Sequence, residues 1–353
     1  MVKLGDVINV HYGKALKADQ RVSNGSVHVF GSSGIVGNHD KTLCSYPTII
    51  IGRKGSVGAI TWAPDGGWII DTAYYVEIKD NNKLDLRYLF YILSGIDLTK
   101  KTITTSIPGL NRDDLYDTFI KLPPFEEQKR IVDLLDKAEG IRQKREQAIK
   151  LADDFLRATF ATMYGNPITN PKKWPVHLMG EIIEFKGGNQ PPKSDFIFEP
   201  KQGYIRLVQI RDFKSDKYAT YIPQEKAKRI FEVDDVMIAR YGPPVFQILR
   251  GLSGSYNVAL MKASPKENIR KGFIFYLLQL PEYHDVVVKN SERTAGQTGV
   301  NLELLNKFNV PLPPIYYQDE ILARLARIEK FKEKIEISLN HLEMQFLSLQ
   351  KRL

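Results

Sequence analysis

The segments Leu122-Pro-Pro-Phe-Glu-Glu-Gln128 and Leu312-Pro-Pro-Ile-Tyr-Tyr-Gln318 are two copies of one helix start, separated by 190 residues. Proline suits the first turn of a helix because its missing N–H leaves no hydrogen bond unmade. Acidic residues follow in both copies, where the positive end of the helix dipole favours them. An internal duplication of this length predicts a pseudo-symmetric molecule, and such a molecule suits a ligand that itself has two parts.

Each helix start runs into a long segment with apolar residues at steps of three and four. Sustained over about five heptads, this spacing predicts a coiled-coil seam, and each helix would be roughly 60 Å long. To bury its seam on the first helix, the second must run antiparallel to it. The alternative is pairing with another protein or with a second copy of the chain. The candidates for this seam or for contact with a partner are Ile131, Leu135, Ile141, Phe155, Ile321, Leu325, Ile328, Ile335, Leu342 and Phe346.

The duplication predicts four segments along the chain: a first head at 1–122, a spacer helix at 123–165, a second head at 166–312 and a second spacer helix at 313–353. Short β-rich runs punctuated by glycine, with one or two helices in each head, predict an α+β fold. We therefore expect two pseudo-symmetric α+β domains separated by two long antiparallel coiled-coil helices. The anchors shared by the heads are Ile49–Gly55 with Val236–Gly242, Tyr88–Leu93 with Phe273–Leu278, and Gly109–Asn111 with Gly299–Asn301.

Composition limits the partners of the chain. Its formal charge is +9, and the largest excess lies in 166–312, with 21 Lys and Arg against 15 Asp and Glu. This excess favours an anionic partner, nucleic acid first, although a merely basic surface is the alternative. A single cysteine, Cys44, excludes an intramolecular disulfide and a thiolate zinc cluster. No apolar run reaches the length of a membrane span and no signal peptide is evident, so we expect a cytoplasmic protein without membrane contact.

Taken together, the duplicated helix starts, the glycine loops at 31–37 and 51–58 and the duplicated heads resemble one known family over the whole chain. The chain is similar to the DNA-specificity subunit of a type I restriction–modification enzyme. In that family each head is a target-recognition domain, and the helices space the heads and dock methyltransferase subunits. The resemblance therefore implies a bipartite DNA site. Because the two heads differ in sequence, the two half-sites should also differ.

The resemblance also implies which partners carry the chemistry. Two methyltransferase subunits would use AdoMet to methylate adenine N6, and restriction subunits would use Mg²⁺ and ATP to translocate and cut unmodified DNA. This chain itself would bind double-stranded DNA, no cofactor and no metal. Half-sites read from one face of DNA recur about every turn, roughly 34–36 Å, so a stiff pair of helices could set an unread spacer between them.

The candidate DNA contacts lie in the loops of the heads. Glycine-rich loops let backbone N–H groups approach phosphates, and Arg and Gln suit bidentate reading of guanine and adenine. Arg53 and Arg240 occupy the same aligned position in the two heads, and this coincidence strengthens both as candidates for DNA contact. The alternative is that the glycines only make tight turns. The candidates are Ser32, Ser33, Arg53, Lys54, Thr104, Thr105, Arg206, Gln209, Arg211, Arg240, Tyr241, Arg293 and Gln297.

One catalytic pattern competes with this interpretation. Pro64-Asp65 followed by Glu77 and Lys79 fits the loose PD…ExK pattern of metal-dependent nucleases. Pro64-Asp-Gly-Gly67 is also a strong turn signal between two β-rich runs, and we prefer the turn. The chain has neither a P-loop nor an Asp/Asn-Pro-Pro-aromatic methyltransferase motif. A non-catalytic specificity subunit is the leading hypothesis; a stand-alone nuclease and a coiled-coil adaptor without sequence reading are the alternatives.

Overall fold

The computed structural model describes residues 1–103, 109–242, 245–291 and 299–352. The chain forms two compact units: unit 1 comprises Met1–Gln147 with Ile335–Leu353, and unit 2 comprises Ala148–Lys334. Both units mix helices and strands, and each long helix contributes to both, so the predicted α+β class is confirmed. The four predicted sequence segments divide the chain differently and remain a prediction.

Unit 1 contains the first strands and helices along the chain. They are β1 (Val2–Lys3), α1 (Leu4–Val7), β2 (Ile8–Tyr12), β3 (Val27–Gly31), β4 (Gly34–His39), β5 (Thr48–Gly52), β6 (Ile60–Ala63), β7 (Trp68–Ile69), β8 (Ala73–Ile78), α2 (Leu86–Gly95), β9 (Thr102–Ile103), β10 (Gly109–Leu110), α3 (Arg112–Tyr116), β11 (Phe119–Ile120) and α4 (Phe125–Tyr164), whose first part belongs to this unit. A four-stranded antiparallel sheet has the order β2-β8-β5-β6, and a second sheet, β4-β3-β7, pairs β3 and β7 in parallel. Antiparallel ribbons join β1 to β11 and β9 to β10.

Unit 2 repeats this plan. Its elements are β12 (Val176–Leu178), α5 (Met179–Ile182), β13 (Ile183–Gly187), β14 (Tyr204–Val208), β15 (Tyr221–Pro223), β16 (Ile230–Phe231), β17 (Val236–Ala239), β18 (Ile248–Leu249), β19 (Gly254–Tyr256), β20 (Leu260–Pro265), α6 (Lys271–Leu277), α7 (Pro281–Ser291), α8 (Leu302–Asn306), β21 (Asn309–Pro311) and α9 (Ile315–Arg352), whose last part belongs to unit 1. The four-stranded sheet β13-β20-β17-β18 corresponds to the sheet β2-β8-β5-β6 of unit 1. Strand β14 pairs with β19 in parallel, as β3 pairs with β7. A ribbon of β12 with β21 corresponds to β1 with β11.

The core of unit 1 lies between its four-stranded sheet and α2. The carboxylate of Asp85 caps this helix by accepting a hydrogen bond from the amide of Tyr88. Leu89 and Ile92 are buried on the inner face of the helix, in one cluster with Ile51 of the sheet. Each such side chain, fully buried, stabilises the fold by about 1.5–3 kcal/mol.

The core of unit 2 extends further into the long helices. Phe160 and Tyr164 at the end of α4 are buried against Phe273 of α6, with ring centroids 5.2 and 5.5 Å away. Ile321 and Leu325 at the start of α9 belong to the same buried cluster. The head of unit 2 and its helical part therefore share one apolar core.

The glutamine of the first helix start fastens the helix to the head. Gln128 is fully buried, and its side-chain oxygen accepts a hydrogen bond from the amide of Asp85 at 2.9 Å. Its side-chain nitrogen donates to the carbonyl oxygens of Lys83 and Pro123. Buried polar groups need such partners, so one side chain ties α4 to the start of α2.

The second copy makes the same connection in unit 2. Gln318 is also fully buried, and its side-chain oxygen accepts from the amide of Arg270 at 2.9 Å. Its side-chain nitrogen donates to the carbonyl oxygens of Asn268 and Pro313. The duplicated motif is therefore a duplicated head-to-helix fastening, which explains why it ends in glutamine.

The long helices run antiparallel within each unit. In unit 1 the guanidinium of Arg145 donates to the carbonyl oxygen of Ser338, and Arg142, three residues earlier on α4, interacts electrostatically with Glu343, five residues later on α9. In unit 2 Asp153 forms an ion pair with Lys332 at 2.6 Å, and ten residues further along α4 the carbonyl oxygen of Met163 accepts from the hydroxyl of Tyr317. Residue numbers thus rise along one helix as they fall along the other, and the antiparallel prediction is confirmed.

Two of the candidates for the helix seam or a partner contact are more exposed than the others. Ile141 is 45% exposed and Phe155 is 59% exposed. Neighbouring residues on a helix point about 100° apart, and the packed face passes instead through Arg142, which Glu139 and Glu146 neutralise, and Leu156, which is buried. Counting apolar residues alone misses a paired arginine on a packed face.

The other seam candidates lie on the packed side. Leu135, Ile321 and Leu325 are buried, at no more than 1% exposed. The partly exposed candidates are Ile131, Ile328, Ile335, Leu342 and Phe346.

Candidate nucleic-acid interface

Arg53 lies in a loop of unit 1 that main-chain hydrogen bonds hold on both sides. Its amide donates to the carbonyl oxygen of Thr72 at 2.9 Å, and its own carbonyl oxygen accepts from the amide of Leu110 at 3.0 Å. Its guanidinium donates to the carbonyl oxygen of Asp71. That acceptor is uncharged, so the positive charge of Arg53 remains available.

Arg240 has the same two main-chain bonds in unit 2. Its amide donates to the carbonyl oxygen of Ala259 at 2.8 Å, and its carbonyl oxygen accepts from the amide of Val300 at 3.1 Å. Its guanidinium stacks over the ring of Tyr241, 5.1 Å from the centroid. The sequence alignment of Arg53 with Arg240 is therefore also a structural equivalence.

Gly13 and Gly188, which are not among the predicted site residues, lie at equivalent positions in the two units. A β-carbon on Gly13 would lie 2.0 Å from the carbonyl oxygen of Ile70, and one on Gly188 would lie 1.9 Å from that of Asn257. Only glycine permits so close a backbone approach. The signal available in the sequence was a glycine directly after the aligned strands β2 and β13.

The structure brings the two glycine-rich loops of unit 1 together. Ser32 and Ser33 form the tight turn between β3 and β4, as the alternative interpretation of that loop expected. The side-chain oxygen of Ser32 lies 3.4 Å from the β-carbon position of Gly55, whose φ is +79°. Lys54 is exposed beside it. These candidates therefore share one surface with Arg53.

Gln209 and Arg211 follow β14, the strand of unit 2 that corresponds to β3. The amide of Gln209 donates to the carboxylate of Asp212 at 2.8 Å, and burial raises the pKa of Asp212. The guanidinium of Arg211 is half exposed and stacks over Tyr218 at 5.6 Å from the ring centroid. The structure thus leaves Arg211 accessible to an anion.

Arg206 forms a closer ion pair than Arg211, whose Nε lies 3.9 Å from the carboxylate of Asp212. The guanidinium of Arg206 forms an ion pair with Asp216 at 2.8 Å, and its side chain is only 18% exposed. An internal carboxylate already compensates much of its charge, so a structural role in the β14 sheet competes with DNA contact. The candidates Thr104, Thr105, Arg293 and Gln297 lie outside the described residues.

The asparagine shared by the two heads has a local structural role. The side chain of Asn111 accepts a hydrogen bond from the amide of Asp113 at the start of α3. Asn301 accepts in the same way from the amide of Leu304 in α8. Both residues are helix N-caps, so the Gly-x-Asn anchor positions the segment whose amide bonds to the carbonyl oxygen of each arginine.

The residues of the nuclease alternative make other contacts. Asp65 lies in the predicted turn between β6 and β7, which is confirmed. Glu77 bonds to His11 at 2.9 Å, and this hydrogen bond lowers the pKa of Glu77. Lys79 donates to the carbonyl oxygen of Gly5. Glu77 and Lys79 are thus engaged locally, and the alternative gains no support.

Among the residues that the structure describes, no group of three or more His, Cys, Asp or Glu side chains is arranged to hold a metal ion. No helix there combines the length and apolar character that crossing a membrane requires.

The family model and the curated relatives that match this chain belong to one family. The model of the type I restriction modification DNA specificity domain matches residues 1–151 and 171–343. The type I restriction enzyme EcoBI specificity subunit of Escherichia coli is 22% identical, over 84% of this chain and 70% of that protein. The MjaVIII specificity subunit of Methanocaldococcus jannaschii is 21% identical, over 74% of this chain and 69% of that protein.

Solved structures share the fold. The S subunit of a type I restriction-modification system from M. genitalium superposes with a TM-score of 0.62 at 16% identity, covering 99% of this chain and 94% of that one. A chain from a structural study of complex assembly and conformational transition of the type I R-M system gives a TM-score of 0.58 at 19% identity, covering 99% and 96%.

Proposed function

Because this chain belongs to the type I restriction modification DNA specificity family, we propose that its two units each read one half of a bipartite DNA site. It is a DNA sequence-recognition subunit and not a catalytic one. The finer points are our proposal: the site has two separated half-sites, and its two halves differ in sequence.

The equivalence of Arg53 and Arg240 is the observation that carries this proposal. The same main-chain bonds hold both arginines, whereas the side chains around them differ, with Tyr241 beside Arg240 and Lys54 beside Arg53. A shared frame places two readers in matching orientations, while different side chains select different bases. An asymmetric bipartite target follows from that combination.

Exposed apolar side chains on the long helices support methyltransferase docking. In unit 2 Leu151, Phe155 and Phe331 are each 59–60% exposed around a groove of about 540 Å³. In unit 1 Ile337 and Met344 are exposed on α9. Apolar patches of this kind mark protein-binding surfaces. One patch on the helical part of each unit suits two methyltransferase subunits.

These partners would supply the chemistry in the cytoplasm. Two methyltransferase subunits would bind AdoMet, flip an adenine out of each half-site and methylate its N6, since a base inside a duplex cannot be reached. Restriction subunits would use ATP and Mg²⁺ to translocate and cut unmodified DNA. This chain would bind the double-stranded DNA.

Methyltransferase docking can be tested by introducing one negative charge into the groove. Phe155→Glu should reduce the methyltransferase that co-purifies with this chain, because a carboxylate in an apolar contact is costly to desolvate. Phe198→Glu is the matched control, since Phe198 is 73% exposed but lies outside the long helices. Equal recovery with both variants would remove the groove from the proposal.

The recognition role is tested by co-expressing the chain with its methyltransferase partner and mapping N6-methyladenine across the genome. We expect one gapped motif, asymmetric between its halves and methylated on both strands. A continuous short motif, or no motif that depends on this chain, would overturn the two-reader proposal. Arg53→Ala should then reduce the base selectivity in one half of the motif, and Arg240→Ala should reduce it in the other half.

A further inference from the structure

Tyr12 at the end of β2 holds two arginines in unit 1. Its ring is 49% exposed. The guanidinium of Arg53 lies 5.1 Å from the ring centroid, and that of Arg112 lies 5.3 Å from it. Tyr74 supports the ring from the buried side, edge-on at 5.1 Å. Two cations from separate parts of the chain thus converge on one aromatic ring.

The main chain fixes this arrangement. Arg112 is the first residue of α3, two positions after Leu110, whose amide donates to the carbonyl oxygen of Arg53. The loop of Arg53 and the start of α3 are therefore connected directly. The two guanidinium groups need little further ordering to meet a ligand together, which lowers the entropic cost of binding.

Among the described residues, neither arginine has a carboxylate counter-ion. Within the described ranges, no carboxylate forms an ion pair with Arg53 or Arg112, and the Nε of Arg112 is buried without a hydrogen-bond partner. Arg87 offers a contrast in the same unit: it also stacks on an aromatic ring, that of Trp62, but Asp136 neutralises it at 2.9 Å. Without a carboxylate partner among the described residues, the two guanidinium groups keep their positive charge available to an external anion.

Unit 2 lacks this stack. The position of Tyr12 is taken by Gly187 and that of Arg112 by Leu302, judged from the matching strands β2 and β13 and the matching N-caps. Arg240 stacks instead on its own neighbour, Tyr241. The arrangement therefore belongs to the half-site that unit 1 reads.

We propose that Arg112, positioned together with Arg53 by Tyr12, binds a backbone phosphate of the DNA in the half-site read by unit 1. This inference rests on the proposed two-reader function. Arg and phosphate form charge-assisted hydrogen bonds. Tyr12 acts as a positioning residue, because its ring aligns the two arginines and need not touch the DNA itself.

The test measures DNA binding by the enzyme assembled with its methyltransferase subunits, as a function of salt. Losing one phosphate contact reduces the slope of log K against log salt by about 0.9, which corresponds to roughly eightfold weaker binding at 0.1 M salt. Arg112→Ala should show this loss on target and on random DNA alike, since a phosphate carries no base identity. Arg112→Lys should retain most of the slope.

Arg130→Ala is the matched control. Arg130 belongs to the same unit, carries the same charge and is 82% exposed on α4. It should leave the slope unchanged if the effect of Arg112 is a local contact and not net charge. Tyr12→Ala should weaken binding as Arg112→Ala does, whereas Tyr12→Phe should bind as the wild type does, because the ring remains.

A second readout locates the phosphate. Replacing single phosphates by neutral methylphosphonates should reveal one position in the unit 1 half-site where the wild type loses affinity and Arg112→Ala loses none further. If the wild type prefers its target over random DNA but Arg112→Ala matches Arg130→Ala, the inference is wrong. If the wild type shows no such preference, the two-reader function itself fails.

Discussion

Units 1 and 2 share a backbone frame and differ in what they place on it. Each holds its arginine through the same pair of main-chain hydrogen bonds. Unit 1 adds a stack of Arg53 and Arg112 on Tyr12 that no carboxylate of the described ranges pairs with, whereas unit 2 pairs Arg206 with Asp216. Main-chain bonds do not depend on side-chain identity, so a duplicated frame can keep its geometry while its surfaces diverge. The comparison suggests how one duplicated fold can read two different half-sites.

The units also differ in how deeply they engage the long helices. In unit 2 the ring of Phe160 is buried in a stacked contact with Tyr276 at 5.5 Å. In unit 1 the ring of Phe346 meets Tyr91 edge-on at 6.0 Å and stays partly exposed. Tyr91 and Tyr276 occupy aligned positions, so the same head residue meets a deeper helix contact in unit 2.

The largest expected effect tests this difference in helix packing between the two units. Phe160→Ala should lower the free energy of unfolding of unit 2 by about 3–5 kcal/mol, because it removes a large side chain from a filled core. Phe346→Ala should lower that of unit 1 by clearly less. Hydrogen exchange, resolved by peptide, reports each unit separately. Phe331→Ala, at a residue 60% exposed, serves as the control; equal losses from Phe160→Ala and Phe346→Ala would contradict the comparison.

An intermediate effect concerns what the units have in common. Gln128→Ala and Gln318→Ala should each cost about 1–3 kcal/mol, because each leaves a buried amide and buried carbonyl oxygens without partners. Each loss should be confined to its own unit and should be similar in size. Gln143→Ala changes an exposed glutamine of α4 and should be neutral. A loss at only one of the two motifs would show that the fastenings are not equivalent.

The smallest expected effect is the part of the pH dependence of unit 2 that Asp235 contributes. Burial acts to raise the pKa of Asp235, but hydrogen bonds from Lys271, from the amide of Glu232 and from Lys262 outweigh it and lower the pKa. A lowered folded-state pKa means stabilisation that is present above the unfolded value, about 3.9, and lost as the pH falls through the folded value. Unit 2 should therefore lose stability below about pH 4.

The control for this pH dependence lies in unit 1. Glu77 also has a lowered pKa, through its hydrogen bond with His11, but the pair is exposed. Exposed pairs contribute little, so Glu77→Gln should barely change stability, whereas Asp235→Asn should flatten the acid limb of unit 2. Denaturant melts between pH 3 and 7 measure both, and an unchanged acid limb in Asp235→Asn would exclude Asp235 as its source.

Much of this architecture was predictable because it repeats. The helix starts, the antiparallel order and the pairing of Arg53 with Arg240 followed from matching one part of the chain to another. The packed face was harder to identify, since Ile141 and Phe155 are exposed while Arg142 lies on the packed face, paired with Glu139. Apolar spacing cannot identify a charged residue whose neighbours on the helix neutralise it.

By itself, the sequence determined a duplicated α+β chain with long helices and a basic excess, because periodicity, helix-start chemistry and charge are local properties. Only the tertiary structure decided what the repeated glutamines hold and which cations stay uncompensated. Gln128 bonds to backbone 43 and 45 residues away, and Tyr12 meets one arginine from a distant loop and another from the start of α3. Such contacts depend on how the strands and helices pack, and no local pattern encodes that packing.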